Sequence, residues 1–202
     1  MNTFNESLLD GKKELEKLFE GNHPHSEEII PFLQSIAAQG NLVTQKIIGF
    51  LYFHGKSVEQ NYFEAFRWYK LAASQGDADA QYWLALMFQE GKGTEHSDEN
   101  ALKYYRKAAS KGDVYSQFEL GYMFQEGKGV RKNYKKALEY YLLAANQGYS
   151  PAQTRLALMY LCGKGTKKNY WEAFRWFKLA GLQDDEYAKK CYELMIKDNK
   201  NI

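Results

Sequence analysis

The chain has 202 residues, with 27 basic and 25 acidic side chains interspersed along it and a formal charge of +2. Mixed charge of this kind leaves no broad basic face, so nucleic-acid binding is not expected. Nothing approaches the ~18 consecutive apolar residues of a transmembrane helix. Aromatic residues make up 16% of the chain, with 16 Tyr, 12 Phe and 4 Trp, more than an ordinary helical core needs.

In chain order, a first helix is expected within 5–20, where Leu8, Leu9, Leu15, Leu18 and Phe19 can cover the end of a stack. Residues 26–41 (SEEIIPFLQSIAAQGN) read as its partner, and together 1–41 form a degenerate capping repeat. Four copies of one pattern follow, over 42–77, 78–113, 114–149 and 150–185. Gly55, Gly91, Gly127 and Gly163 share one column, and Gly40, Gly76, Gly112 and Gly148 another. Ala65, Ala101, Ala137 and Ala173 keep the same step, as do Ala72, Ala108, Ala144 and Ala180. A fixed step across several columns marks a repeat architecture rather than a compositional bias.

Each copy reads as two helices. In the copy 78–113, the first spans 78–90, with apolar positions at helical spacing and no internal Gly or Pro. Gly91-Lys92-Gly93 stops it, because glycine takes positive φ without the ~1–2 kcal/mol penalty of other residues. The second helix spans about 97–110, with Ser97 or Asp98 as N-cap and Ala101, Leu102, Tyr105, Ala108 and Ala109 on its core face. The column of Tyr69, Tyr105, Tyr141 and Phe177 supplies the bulk of the core. A Lys-rich last helix within 186–202 caps the array. The fold class is therefore all-α: a right-handed α-solenoid of antiparallel pairs, about eleven helices in one repeat domain over 1–202.

Chemistry is sparse. His23-Pro24-His25 has no further His or Cys near it in sequence and reads as a polar loop. Glu27-Glu28 and Asp184-Asp185 read as solvated helix-end charges. Gly-Lys-Gly lacks the GxxxxGK[ST] and preceding strand of a phosphate loop, and no nucleophile has a Ser/His/Asp or Cys/His setting. Cys162 and Cys191 match neither a CxxC site nor a zinc pair, and are expected as reduced thiols. No enzymatic activity, cofactor or metal is expected. The first residues lack a basic segment followed by an apolar run, so the protein is expected in the cytoplasm or exported to a host by a non-Sec route.

The pattern Ala-x-Ala-Gln-x-x-Leu-Gly/Ala-x-Met-Tyr/Phe, then Gly-Lys-Gly, then Ala-x-x-Trp/Tyr-Tyr/Phe-x-x-Ala-Ala-x-x-Gly, resembles the Sel-1-like repeat family. Residues 116–124 (SQFELGYMF) with Gly127-Lys128-Gly129 carry the resemblance most fully. Ser57 departs from it at the second turn glycine, and Ala85 and Ala157 stand where the family often has glycine. The resemblance implies an adaptor whose first helices line a concave face. Their second, fifth, ninth, twelfth and thirteenth positions would point away from the core. On this chain those positions are Val43, Lys46, Phe50, Phe53 and His54; Asp79, Tyr82, Leu86, Gln89 and Glu90; Tyr115, Phe118, Tyr122, Gln125 and Glu126; and Pro151, Thr154, Leu158, Leu161 and Cys162. The expected partner-binding residues are Phe50, Phe53, Asp79, Tyr82, Leu86, Glu90, Tyr115, Phe118, Tyr122, Glu126 and Leu158. They would form an exposed aromatic strip for a protein or peptide partner. The alternative is a small molecule or cell-wall fragment of β-lactam or muropeptide type, bound by cysteine-rich relatives whose cysteine pattern this chain lacks.

Overall fold

A computed structural model describes residues 29–199, and every regular element among them is an α-helix. The helix expected within 5–20, His23-Pro24-His25 and Glu27-Glu28 lie outside the described residues. The ten described helices are α1 (Ile29–Ala38), α2 (Leu42–His54), α3 (Tyr62–Ser74), α4 (Ala78–Glu90), α5 (Asp98–Ala109), α6 (Val114–Glu126), α7 (Tyr134–Asn146), α8 (Ser150–Cys162), α9 (Tyr170–Gly181) and α10 (Glu186–Asn199). Contacts divide the chain into two compact units that meet between Ser97 and Asp98 in sequence. In the first, α1 to α4 pack on one another in sequence order. In the second, α5 to α10 do the same.

Short polar side chains start the helices by satisfying N–H groups that have no partner within the helix. Asn41 Oδ1 accepts from the Thr44 N–H at 2.9 Å, Asp77 from Ala80 at 2.7 Å and Asp113 from Ser116 at 2.7 Å. Asn61, Asn133 and Asn169 cap α3, α7 and α9 in the same manner. At α8 the preceding Tyr149 offers no such bond, and Pro151 opens the helix instead.

The two glycines of each turn have separate reasons. Gly91 takes φ 66° and sends its N–H to the Met87 carbonyl, which closes α4. Gly129 adds a steric requirement, since a Cβ there would lie 2.6 Å from the Asp98 carbonyl oxygen at the start of α5. The second turn glycine thus lets each turn rest on the amino end of the preceding second helix. Ser57, its counterpart in the first copy, is exposed and takes φ 60°.

The core follows the invariant columns. Tyr69, Tyr105, Tyr141 and Phe177 are fully buried, as are Ala65, Ala101, Ala137 and Ala173. A column of buried glutamines adds polar clasps. The amide nitrogens of Gln45 and Gln153 donate to the carbonyls of Ala37 at 2.9 Å and Ala145 at 3.2 Å. Their Oε1 atoms accept from Gln75 at 2.8 Å and Gln183 at 3.0 Å, and Gln117 accepts from Gln147 at 2.8 Å. Each clasp joins a first helix to the ends of two neighbouring second helices, and a buried amide so paired avoids the cost of an unsatisfied group.

Candidate functional site

In the first unit, α2 and α4 bring the expected residues around one aromatic cluster. Phe53 is its centre, with ring centroids 5.0 Å from His54, 5.2 Å from Tyr62 and 5.1 Å from Trp83, all edge-on. Phe50 lies 4.3 Å from His54. Lys92 Nζ sits 5.1 Å from the Phe53 ring and 5.2 Å from Tyr62, while Lys56 sits 5.0 Å from Phe50. Edge-to-face rings with cations over their faces are a mutually favourable electrostatic arrangement.

That packing corrects part of the sequence expectation. Phe50 and Phe53 are buried, 8% and 7% exposed, and belong to the core rather than to an exposed strip. The cause is the inter-helix turn, which carries Lys56 and Lys92 back across the ends of α2 and α4. The helix that follows also brings Tyr62 against Phe53. Tyr82 and Leu86 remain partly exposed, and Glu90 is exposed. Tyr82 packs 5.8 Å from Trp83. Glu90 receives Lys92 at 2.7 Å, and this hydrogen bond raises the lysine pKa. Asp79 is not a free anion, since it shares Lys46 with Asp77, at 3.4 and 3.2 Å. Desolvation, followed by the positive charges of Lys56 and Lys92, lowers the His54 pKa.

In the second unit, Tyr115, Phe118 and Tyr122 line the outward side of α6 and are each partly buried. Phe118 packs 5.6 Å from Tyr141 and 5.3 Å from Tyr149, and Tyr115 lies 5.4 Å from Tyr149. Tyr149 stands in the repeat position held by Asp77 and Asp113, so here an aromatic replaces a capping carboxylate and thickens the cluster. Burial raises the phenol pKa of Tyr141, and that of Tyr149 with help from neighbouring Tyr115 and Glu119. Lys128 stands 5.1 Å from the Tyr122 ring. Glu126 is exposed and accepts from Gln125 at 2.8 Å. Leu158 on α8 is partly buried against the second unit's core.

In each unit the first-helix side is therefore aromatic and semi-open, without the fully exposed strip expected. The most exposed apolar side chains lie elsewhere: Phe63 at 65%, Tyr170 at 62% and Trp171 at 72% on second helices, and Leu182 at 70% after α9. The repeat column of Phe63 and Trp171 also holds Glu99 and Lys135. Those two charges are the signal that the column faces solvent.

Among the described residues no helix is long and apolar enough to cross a membrane. No group of three or more His, Cys, Asp or Glu side chains there is placed to hold a metal ion.

The Sel1 repeat model matches residues 45–77, 78–113, 114–149 and 150–185. Among solved structures, the chain is similar to a Sel1 repeat protein from Oxalobacter formigenes, at 35% identity over 91% of this chain and 73% of that one, with a TM-score of 0.78. It is also similar to c5321, a protective antigen of uropathogenic Escherichia coli with an SLR fold, at 24% identity, 95% and 52% coverage and a TM-score of 0.51. Cysteine rich protein B of Helicobacter pylori matches at 23% identity, 68% and 98% coverage and a TM-score of 0.53. The last two likenesses concern the fold alone. No curated protein matches the chain.

Proposed function

Because the chain belongs to the Sel1 repeat family, whose members are generally protein-interaction scaffolds and typically non-catalytic, we propose that it holds a protein or peptide segment on its first-helix faces. One observation carries this reading. Tyr82, Leu86, Tyr115, Phe118, Tyr122 and Leu158 stay partly exposed on first helices although the core is already filled by the constant columns. Half-buried aromatics of this kind are rigid and need little ordering on binding, which suits anchors for a partner's apolar side chains. Glu126, exposed at the end of α6, orients a partner by charge, and Glu90, exposed at the end of α4, does so as an ion pair with Lys92. Phe50 and Phe53 support the face from beneath.

Crosslinking mass spectrometry of the full chain in extract from its source tests the assignment. Crosslinks are expected on the first helices. Alanine at Tyr82, Phe118 or Tyr122 should weaken partner affinity by about 1–2 kcal/mol. Three folded variants that keep full affinity would refute it. So would a β-lactam or muropeptide that stabilises the protein in a thermal-shift screen while no protein partner is captured.

A further inference from the structure

The second unit carries a feature on its second-helix side that the first-helix reading leaves unused. Two adjoining clefts of about 500 and 390 Å³ share Phe124 and Lys136 as lining residues. The first is completed by Arg106 of α5 and by Glu139, Tyr140 and Leu143 of α7. The second is completed by the turn residues Val130, Arg131 and Lys132 with Asn133. Four cations therefore line this surface against one carboxylate, in a chain whose whole formal charge is +2.

Two of the four cations sit over one ring. Arg106 Cζ lies 5.9 Å and Lys136 Nζ 5.3 Å from the Phe124 centroid, and Tyr140 stacks on the same ring at 5.6 Å and 9°. Phe124 itself is 2% exposed, so it is a floor and not a ligand contact. No described carboxylate forms an ion pair with Arg106, Arg131 or Lys136. Four cations held close to a single carboxylate leave a net positive local potential, which favours an anionic guest.

The scaffold does not require this charge. One repeat earlier, the positions of Arg131 and Lys136 hold Glu95 and Asn100, and one repeat later they hold Lys167 and Glu172. Lys136, Tyr140 and Leu143 fall at i, i+4 and i+7 on one stripe of α7, and Leu143 is 50% exposed. The surface thus joins a cationic half to an apolar half.

We propose that this cleft docks an acidic peptide segment. Its carboxylates would pair with Arg106, Arg131 and Lys136, and an apolar side chain would rest on Leu143 and Tyr140. A guanidinium donates two parallel hydrogen bonds to a carboxylate, which sets orientation as well as attraction. Single-stranded nucleic acid fits less well, because stacking of bases needs an open aromatic face and Phe124 is already covered by Tyr140 and the two cations.

A random peptide library of about 16 residues, displayed on phage and panned on the full chain, tests the proposal independently of the first-helix assignment. Asp- and Glu-enriched peptides should emerge, and an Arg106→Glu/Arg131→Glu/Lys136→Glu variant should weaken them by at least about tenfold. Tyr82→Ala and Phe118→Ala should leave them unchanged. If the charge-reversed chain does not keep the parent's circular dichroism and melting curve, Arg106→Gln/Lys136→Gln replaces it, with a loss of about threefold or more expected. Recovery of no peptides, or of peptides without acidic enrichment, overturns the proposal. Binding that survives these substitutions does so too, as does displacement of the selected peptides by oligouridylate at equal concentration.

Discussion

Replacing Phe53 by alanine separates a buried support from a surface anchor. The ring is 7% exposed and makes three aromatic contacts between 5.0 and 5.2 Å, with Lys92 held over its face. Burial of a phenylalanine and the cavity left by its removal together are worth ~3–5 kcal/mol. His54 is exposed and can relax toward the void, which places the expected loss near the lower end, ~3 kcal/mol. Urea unfolding measures the loss, and hydrogen exchange of α2 and α4 amides reads this unit specifically. Tyr82→Ala, on a partly exposed ring of α4, should cost only ~1 kcal/mol of stability while reducing partner affinity. The reasoning is refuted if Phe53→Ala loses less than ~1 kcal/mol of stability yet impairs binding as much as Tyr82→Ala. Phe53 would then be a surface anchor after all.

Gly49 and Gly121 occupy one repeat column, yet alanine should act on them differently. A Cβ at Gly121 would meet the Tyr141 ring at 2.6 Å, whereas at Gly49 the nearest Tyr69 atoms are 3.1 Å away. Helix propensity favours alanine by up to ~1 kcal/mol, and overpacking costs ~1–3 kcal/mol. Gly121→Ala should lower the urea midpoint, and Gly49→Ala should leave it unchanged or raise it. Gln153→Leu removes the bonds to the Ala145 carbonyl and from the Gln183 amide, at 3.2 and 3.0 Å. The carbonyl still accepts from the Gly148 N–H at 3.0 Å and Gln183 is exposed, so the loss should be ~0.5–1.5 kcal/mol per bond in the same measurement. The lowered pKa of His54 means that the unfolded chain binds more protons there once pH falls below the ordinary value of 6.5. Stability is therefore full above that pH and declines as pH drops through the lowered folded value; a pH series of melting temperatures should show a smaller decline in His54→Gln.

Sequence periodicity alone determined the all-α class and the positions of the helix pairs. It located Tyr105 and its column in the core, and the left-handed turn at Gly91. These features are local: a cap, a positive φ or an i, i+4 stripe is set by residues within one or two turns of one another. The expectation for the copy 78–113 placed its first helix over 78–90, as found, and its second within about one residue of Asp98–Ala109 at each end. The glutamine column was visible as a constant letter, but its bonds to Ala37, Ala145 and the paired glutamines span neighbouring helices.

Exposure was decided only by tertiary structure. A stripe fixes the direction of a side chain from its own helix axis, but not what the next turn lays over it. Phe50 and Phe53 point along the expected stripe and are still covered, because Lys56, Tyr62, Trp83 and Lys92 arrive from other segments. The cationic surface over Phe124 has the same origin, with Arg106, Arg131 and Lys136 drawn from two helices and the turn between a third helix and α7. In a linear reading those residues are separate charges on a nearly neutral chain. Packing places them along two adjoining clefts that share one ring, where their fields add.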